Sequence, residues 1–329
     1  MSSGYDVVGI GNAIVDIIAP ADDEFLAQHD ISKGVMTLID AERAAHLCGA
    51  LPMAQEAAGG SAANTMAGLA SLGAIGLFVG KVKADRLGES FASGLRELGV
   101  RYTTPMADGG PPTACCIIAV TPDGQRSMST YLGASRELTP ADISDADIAA
   151  AEVLYIEGYL WDMPDAKAAI NKAIAAAKAN RRKVAFTLSD PFCVGRWRAE
   201  FLALLKDIDI LFANEEEAKA LFETEDFDAV LQKTRIWPGI AALTRSEKGC
   251  VIAQGVEVHV LDAAPVERVV DSTGAGDQFA AGFLYGITHG KGLAQAGRLG
   301  GLAAGEVISH YGARPETSLR TLAADAGLV

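Results

Sequence analysis

Stretches of apolar residues, each about as long as a strand, alternate along most of the chain with longer stretches of helical periodicity. The apolar stretches predict buried strands over Tyr5–Gly11, Ile75–Gly80, Val153–Glu157, Lys183–Leu188, Ile208–Ala213 and Ile240–Thr244. Apolar residues that recur every three or four positions predict helices over Ser61–Leu72, Arg86–Leu98, Asp165–Asn180 and Glu215–Phe222. This order is typical of an α/β fold with a doubly wound, mostly parallel sheet and helices on both faces. Ligands of such folds bind beyond the carboxyl ends of the strands.

Two segments, residues 14–40 and 100–132, break this alternation. They contain short alternating or β-branched stretches, at Gly34–Ile39, Thr113–Thr121 and Arg126–Tyr131, separated by turn signals. We expect these segments to form a small antiparallel sheet that projects over the edge of the main sheet as a lid. The alternative is that they extend the main sheet. Since no repeat or long linker divides the remainder, residues 1–329 are interpreted as one domain that carries this lid.

Composition narrows the classes of function. Of the 329 residues, 28 are Lys or Arg and 42 are Asp or Glu, giving a net charge of −14. Such a chain lacks the broad basic surface that nucleic acid or an anionic membrane requires. Because the N-terminus shows no signal-peptide pattern and no apolar stretch is long enough for a membrane span, we expect a cytoplasmic protein. Five cysteines without CxxC spacing predict reduced thiols: Cys48, Cys115, Cys116, Cys193 and Cys250.

The strongest candidate for chemistry is the segment Asp271-Ser272-Thr273-Gly274-Ala275-Gly276-Asp277, which precedes apolar residues at helical spacing. Gly274, Ala275 and Gly276 fall at the predicted N-terminus of a buried helix, where free amides and the helix dipole favour an anion. Asp277 lies in the first turn, where its carboxylate could accept a proton from a hydroxyl that attacks a bound phosphoryl group. An acidic residue at this position also serves as a cap. The small residues beside it favour the catalytic interpretation.

A second candidate site combines two separate segments. Gly59 and Gly60 precede a predicted helix, so a ligand could approach the backbone there, and Asn64 one turn later could hydrogen-bond a polyol. Asn12 and Asp16 follow the first strand, where a carboxylate beside the lid could hold a pair of vicinal hydroxyls. A Gly-Gly pair is also common in simple turns.

A third candidate lies after the strands that end at Ala213 and Thr244. Asn214 and Glu217 are three residues apart in a predicted first helical turn, and an amide with a carboxylate suits Mg²⁺ held through water. Acidic residues also favour helix N-termini for structural reasons alone. Thr244 and Gly249 offer a hydroxyl and a turn at the same edge of the sheet.

Two nucleotide-binding patterns are not satisfied. The segment Gly9-Ile10-Gly11-Asn12-Ala13-Ile14 has Ile at the sixth position of GxGxxG, and no helical pattern begins there. This argues against a nicotinamide oxidoreductase. No GxxxxGK[ST] sequence occurs, which excludes a P-loop.

Taken together, these motifs resemble the ribokinase-like carbohydrate and purine kinases, the PfkB family, over essentially the full chain. Residues 271–277 are similar to the C-terminal signature of that family, residues 59–64 to its N-terminal signature, and residues 214–217 to its NxxE motif. The resemblance implies a doubly wound sheet with a β-sheet lid. It also implies transfer of the γ-phosphoryl group of ATP to a primary hydroxyl, with Mg²⁺ as cofactor.

The resemblance assigns roles to the candidate residues. Asp277 would be the base, and the amides of Gly274, Ala275 and Gly276 the anion hole. The acceptor would be held by Asn12, Asp16, Gly59, Gly60 and Asn64. The nucleotide would contact Asn214, Thr244, Ser246 and Gly249, with Glu217 and Asn214 organising Mg²⁺. A monovalent cation such as K⁺ would bind near Asp271, Thr273 and residues 309–314.

Further details are similar to the adenosine kinases within the family: residues 11–17, residues 186–192, and Arg126, which in that subgroup reaches the transferred phosphate. An adenine ring would stack on lid residues, with Ile39, Leu132 and Tyr159 as candidates. Ser246 replaces the glycine common in the family. We therefore expect adenosine to be converted to AMP by a monomer or homodimer. The alternatives are a sugar kinase for ribose, fructose or 2-keto-3-deoxygluconate, and a sensing module without turnover.

Overall fold

The computed structural model describes residues 4–51 and 54–329. Its strands, in chain order, are β1 (Tyr5–Ile10), β2 (Ile14–Pro20), β3 (Met36–Leu38), β4 (Gln55–Gly59), β5 (Gly76–Val79), β6 (Arg101–Tyr102), β7 (Ala114–Val120), β8 (Arg126–Tyr131), β9 (Ala151–Glu157), β10 (Lys183–Thr187), β11 (Ile210–Asn214), β12 (Ile240–Thr244), β13 (Cys250–Gln254) and β14 (Glu257–Leu261). Its helices are α1 (Asp23–Gln28), α2 (Ala41–Ala50), α3 (Ser61–Leu72), α4 (Arg86–Glu97), α5 (Asp145–Ala149), α6 (Pro164–Ala179), α7 (Pro191–Leu204), α8 (Glu215–Phe222), α9 (Phe227–Ile236), α10 (Ala275–Thr288), α11 (Leu293–Val307) and α12 (Leu319–Asp325). The predicted elements are present, with ends shifted by at most two residues.

The larger sheet confirms the predicted α/β architecture. Its strand order is β14-β13-β12-β11-β10-β9-β1-β5-β6. In this order, each strand from β12 onwards runs parallel to the next. Only the β12–β13–β14 edge is antiparallel within the described residues. Successive residues of β1 point to opposite sides: Val7 joins the core beneath α3 and α10, whereas Val8 joins the core beneath α6 and α7. This period of two explains why strands buried on both faces appear as continuous apolar stretches.

The smaller sheet has the order β3-β8-β7-β2-β4. It draws on both predicted lid segments, but it also includes Gln55–Gly59, which lie outside them, and Arg101–Tyr102 pair with β5 in the larger sheet instead. The sheet is mixed rather than antiparallel, because β2 pairs parallel with β7 and β3 pairs parallel with β8. The helices α1 and α2 lie between β2 and β4 in the chain, so β2, β3 and β4 are not joined by simple hairpins. That the sheet opens and closes as a lid stays a prediction.

The register of this sheet decides which side chains face the same way. Asp16 pairs with Cys116, Cys116 with Thr130, and Thr130 with Leu38, so these residues lie on one face. We call it the inner face, and its further members include Ile14, Ile18, Arg126, Met128 and Met36. The opposite face carries Ile17, Cys115 and Ile117 and packs against α2 and α4. No helix in the described ranges is long and apolar enough to cross a membrane.

Candidate active site

The N-terminus of α10 meets the N-terminus of α3 beyond the carboxyl ends of the central strands. Gly274 precedes α10 and has a φ of +79°, a backbone conformation that residues other than glycine rarely adopt. A Cβ atom there would lie 2.7 Å from atoms of Ala313, so glycine is required on two counts. The tight approach places Asp277 in the first turn, as predicted.

Asp277 is held by two residues of α3. Ser61 Oγ donates to Asp277 Oδ1 at 2.6 Å, and Asn64 Nδ2 donates to Asp277 Oδ2 at 3.2 Å. Burial raises the pKa of Asp277 to about 6, although both hydrogen bonds act to lower it. A carboxylate with this pKa is ionised at neutral pH and is basic enough to accept a proton from a bound hydroxyl.

The amides beside Asp277 are only partly engaged. Ala275 N–H donates to the Ser272 carbonyl at 3.2 Å, within the turn that leads into the helix. Gly276 is exposed, and a Cβ atom at that position would meet nothing within 4 Å. First-turn amides have no acceptor inside their own helix. This end of α10 is therefore open to an anion at Gly276, as the sequence predicts for an anion hole.

Asp16 lies on the inner face against the backbone of Gly59. A Cβ atom on Gly59 would lie 2.4 to 2.6 Å from the Asp16 carboxylate, and one on Gly60 would lie 2.3 Å from the Asn12 carbonyl. Burial raises the pKa of Asp16 to about 6, while nearby Arg314 and Arg126 lower it. Of the predicted acceptor residues, Gly59 thus lies against Asp16, and Gly60 lies against the backbone of Asn12.

The Asn12 side chain is directed towards Glu157, a residue that the sequence analysis did not single out. Glu157 Oε1 accepts from Asn12 N and Nδ2, both at 2.7 Å, and Oε2 accepts from Ala62 N at 2.8 Å. Glu157 is fully buried at the end of β9, and burial raises its pKa to about 7. It ties the ends of β1 and β9 to the start of α3. A charged residue that ends an apolar strand was the available signal.

Asn214 and Glu217 form a reciprocal cap at the N-terminus of α8. Asn214 N and Nδ2 donate to the two carboxylate oxygens of Glu217 at 2.9 and 2.7 Å, and Glu217 N donates to Asn214 Oδ1 at 2.8 Å. Glu217 is buried, which raises its pKa to about 7, and the charges of Asp190 and Asp277 act in the same direction. The structural interpretation of this pair therefore holds, and the metal role stays a prediction.

A cavity of about 350 Å³ opens beside this cap at the carboxyl ends of β11 and β12. Its lining includes Asn214, Thr244 and Ser246. Ser246 adopts the left-handed conformation, with φ of +51°, so the loop keeps a turn suited to glycine even though the residue is serine. Gly249 closes the turn, and a Cβ atom there would lie 2.0 Å from the Leu261 carbonyl. This is where the sequence predicts the nucleotide.

Arg126 crosses from the inner face to the loop before α10. Its Nη1 forms an ion pair with Asp271 Oδ2, and both side chains are 8% exposed. Asp271 also accepts from Thr273 N and Oγ1 at 3.0 and 2.7 Å and from Gly312 N at 3.1 Å. Burial acts to raise the pKa of Asp271, but these hydrogen bonds hold it below its usual value. The carboxylate proposed for a monovalent cation is thus already well supplied with donors.

The predicted base-stacking residues occupy different surroundings. Tyr159 is 37% exposed, and its hydroxyl donates to the Ser189 carbonyl at 3.2 Å. Leu132 follows β8 and is partly buried. Ile39 packs against the core instead of facing the site. Met36 and Leu38, which are 48% and 60% exposed on the inner face, are the apolar residues of this segment that face the site.

Known proteins that are similar to this chain include adenosine kinases and a probable sugar kinase. Residues 36–319 match the model of the pfkB family carbohydrate kinases. The solved structure of adenosine kinase from Sinorhizobium meliloti is similar, with 52% identity, 98% of this chain and 99% of that chain covered, and a TM-score of 0.90. A probable sugar kinase protein from Rhizobium etli CFN 42 shows 49% identity, coverage of 99% and 100%, and a TM-score of 0.92. Adenosine kinase 1 of Arabidopsis thaliana is 26% identical over 94% of this chain and 96% of its own length.

Proposed function

This chain belongs to the pfkB family of carbohydrate kinases and is a phosphotransferase with an alcohol acceptor, and we propose that its acceptor is adenosine, which it converts to AMP. The transferred group would be the γ-phosphoryl of ATP, and the reacting oxygen the primary 5′-hydroxyl. The relatives named above include both an adenosine kinase and a probable sugar kinase, so similarity alone does not distinguish a nucleoside from a sugar as acceptor. The side chains of the site have to distinguish them.

The side chains on the inner face around Asp16 favour adenosine as the acceptor. A sugar exposes hydroxyls on most sides and needs polar partners for them, whereas a nucleoside pairs one polyol with an aromatic base. The same face carries Ile14 and Ile18 on either side of Asp16 in β2, and Met128, Met36 and Leu38 further along the sheet, in β8 and β3. Cys116 and Thr130 lie between Asp16 and Leu38. Asp16 suits the ribose hydroxyls, and the apolar surface beside it suits a purine.

The reaction itself would use the end of α10. Asp277 accepts the proton of the 5′-hydroxyl as that oxygen attacks the γ-phosphorus, and the bond from phosphorus to the bridging oxygen of ADP breaks. The Gly274–Gly276 segment and the helix dipole stabilise the charge that develops on the phosphoryl oxygens. Arg126 has a buried Nε without a partner among the described residues, so it has a donor available for a phosphate oxygen.

We expect the protein to supply few ligands of its own to Mg²⁺. No group of three or more His, Cys, Asp or Glu in the described ranges lies close enough to hold a metal ion. Mg²⁺ commonly uses one or two carboxylates together with substrate phosphates and water. Glu217 and Asn214 would hold the hydrated ion at the edge of the nucleotide cavity, where the bound ion would neutralise phosphate charge. A K⁺ ion near Asp271 and Thr273 would have to use backbone carbonyls of residues 309–314.

The test is ADP release with Mg-ATP against adenosine, other nucleosides, ribose, fructose and 2-keto-3-deoxygluconate. The matched control is Asp277→Asn purified in the same way, which removes the base and reports any contaminating kinase. Turnover that is fastest with adenosine and absent in the control supports the proposal. Turnover with a sugar alone would keep the kinase assignment and overturn the acceptor, and binding of adenosine without turnover would favour the sensing module.

A further inference from the structure

Arg314 reaches the acceptor site from the segment that follows α11, a part of the chain for which no acceptor-binding role was predicted. Its Nε donates to Asn64 Oδ1 at 3.2 Å. The other end of the same amide, Asn64 Nδ2, donates to Asp277. Gln278 links the residue before Arg314 to α3, because its Nε2 donates to the backbone carbonyls of both Asn64 and Ala313, at 3.0 and 2.9 Å. Two hydrogen bonds, both made by the side-chain amide of Asn64, therefore connect Arg314 to the proposed base Asp277.

One nitrogen of this guanidinium has no partner. Arg314 Nη2 is buried and makes no hydrogen bond to any described residue. Leaving a buried charged donor unsatisfied is costly. Asp16 interacts electrostatically with Arg314, and burial, the larger effect, lowers the pKa of Arg314 to about 10, which leaves it charged at neutral pH. The site thus contains a fixed cation with a spare donor beside the carboxylate that faces the acceptor.

The two charges together match a pair of vicinal hydroxyls. Each hydroxyl has one hydrogen to donate and lone pairs to receive a hydrogen bond. An ionised carboxylate only accepts and a guanidinium only donates, so Asp16 satisfies the hydrogens while Arg314 satisfies an oxygen. An acceptor that lacks one of these hydroxyls would leave a charged group unpaired, and that penalty is the basis of strong discrimination.

We propose that Arg314 is an acceptor-binding and specificity-determining residue, which donates from Nη2 to an oxygen of the vicinal diol held by Asp16 and so selects acceptors with a ribose-type diol. This inference rests on the proposed function for the identity of the acceptor. A role limited to orienting Asn64 towards Asp277 is the competing explanation. It predicts a loss of turnover that is the same for every acceptor.

The experiment compares kcat and KM of the wild type, Arg314→Met and Arg314→Lys with adenosine, 2′-deoxyadenosine and 3′-deoxyadenosine. Arg298→Met, an exposed substitution on α11, is the matched control. The wild type should prefer adenosine over at least one deoxynucleoside by about 100-fold in kcat/KM. Arg314→Met should lower kcat/KM for adenosine by about 10- to 100-fold, mainly through KM, and change that deoxynucleoside by less than about threefold. Arg314→Lys should recover part of the preference.

Three results would overturn the inference: no preference in the wild type, an equal loss for all three acceptors in Arg314→Met, or a loss confined to kcat. Thermal unfolding of each variant identifies a folding defect. If Arg314→Met is unstable, the kinetic constants of Arg314→Lys are compared with those of the wild type instead. If the wild type phosphorylates ribose and no nucleoside, the proposed function fails, and ribose against 2-deoxyribose decides the role of Arg314 separately. If no acceptor is turned over, calorimetry measures the Kd of adenosine, 2′-deoxyadenosine and 3′-deoxyadenosine, and the ratio of these Kd values replaces the ratio of kcat/KM.

Discussion

Ser61 Oγ lies 2.6 Å from Asp277 Oδ1, so a hydroxyl at the start of α3 donates to the candidate base at the start of α10. The two residues are 216 positions apart in the chain. The hydrogen bond stabilises the ionised carboxylate and works against the effect of burial on its pKa. Ser61 therefore lowers the pKa of the candidate base.

Replacing Ser61 by Ala should raise the pKa of Asp277 above its present value of about 6. Because only the ionised carboxylate acts as base, kcat/KM should rise with pH, and the midpoint of that rise should move to higher pH in Ser61→Ala. The measurement is the pH profile of kcat/KM between pH 5 and 9. Asp277→Asn, the control, should lose about 100- to 10,000-fold in kcat with little change in ligand affinity. An unchanged midpoint would contradict the proposed role of Ser61.

Gly59→Ala tests the proposed acceptor site, because Gly59 lies against the Asp16 carboxylate. The added Cβ atom would lie within 2.6 Å of all three atoms of the Asp16 carboxyl group and must displace it. We expect the acceptor KM to rise by about 10-fold or more while the ATP KM stays unchanged. Gly94→Ala on α4 is the control, since its Cβ would make only an ordinary 3.5 Å contact with Ala58. Equal changes in both KM values would mean that Asp16 does not bind the acceptor.

Gly249→Ala tests whether the cavity at the ends of β11 and β12 binds the nucleotide. Its Cβ atom would lie 2.0 Å from the Leu261 carbonyl, so the turn after β12 would have to move. The ATP KM should rise by about 10-fold or more, and the acceptor KM should be spared. Gly255→Ala is a matched control, because Gly255 also has positive φ, of +58°, but its Cβ would meet nothing within 4 Å. An ATP KM that is unaffected by Gly249→Ala would place the nucleotide elsewhere.

Glu157 should make stability fall as pH rises. Its folded pKa of about 7 lies above the usual value of 4.5, so the folded state binds the proton more tightly than the unfolded state. The favourable contribution is complete below about pH 4.5 and lost above about pH 7, a change on the order of 3 kcal/mol.

Glu157→Gln should remove this part of the pH dependence and flatten the free energy of unfolding between pH 4.5 and 8. Urea unfolding across that range measures it. Glu225→Gln, at an exposed position, should leave the slope as in the wild type. A slope that is identical in Glu157→Gln and the wild type would show that Glu157 does not titrate in this range.

Cys48 should be the thiol that reacts first. It is partly exposed, and a hydrogen bond with Cys115 lowers its pKa to about 7. Burial instead raises the pKa of Cys116, Cys193 and Cys250 to about 12. Since the thiolate is the nucleophile, labelling by a disulfide reagent should have a fast phase with a midpoint near pH 7. Cys48→Ser should abolish that phase and Cys250→Ser should keep it; the reverse pattern would refute the assignment.

Local signals in the sequence were sufficient for much of the fold. The strand–helix alternation, the glycine at the start of α10 and the first helical turn that contains Asn214 and Glu217 depend on neighbours within a few positions, and each was predicted where it occurs. The reciprocal cap between Asn214 and Glu217 was not predicted beyond the general preference of acidic residues for helix N-termini. Backbone conformation and helix capping are short-range effects, so a single sequence expresses them directly.

The tertiary structure alone decided which distant residues meet. Glu157, Ser61 and Arg314 meet the other site residues because the carboxyl ends of parallel strands and the starts of two helices converge there. A charge at the end of an apolar strand marks Glu157 in the sequence, but no local pattern shows which residues these three contact. The register of the smaller sheet placed Met36 and Leu38 on the inner face and left Ile39 against the core. A strand's sidedness depends on its pairing with other strands, because a shift of one residue exchanges its two faces. That pairing is settled by packing across the whole chain, which no short stretch of sequence encodes.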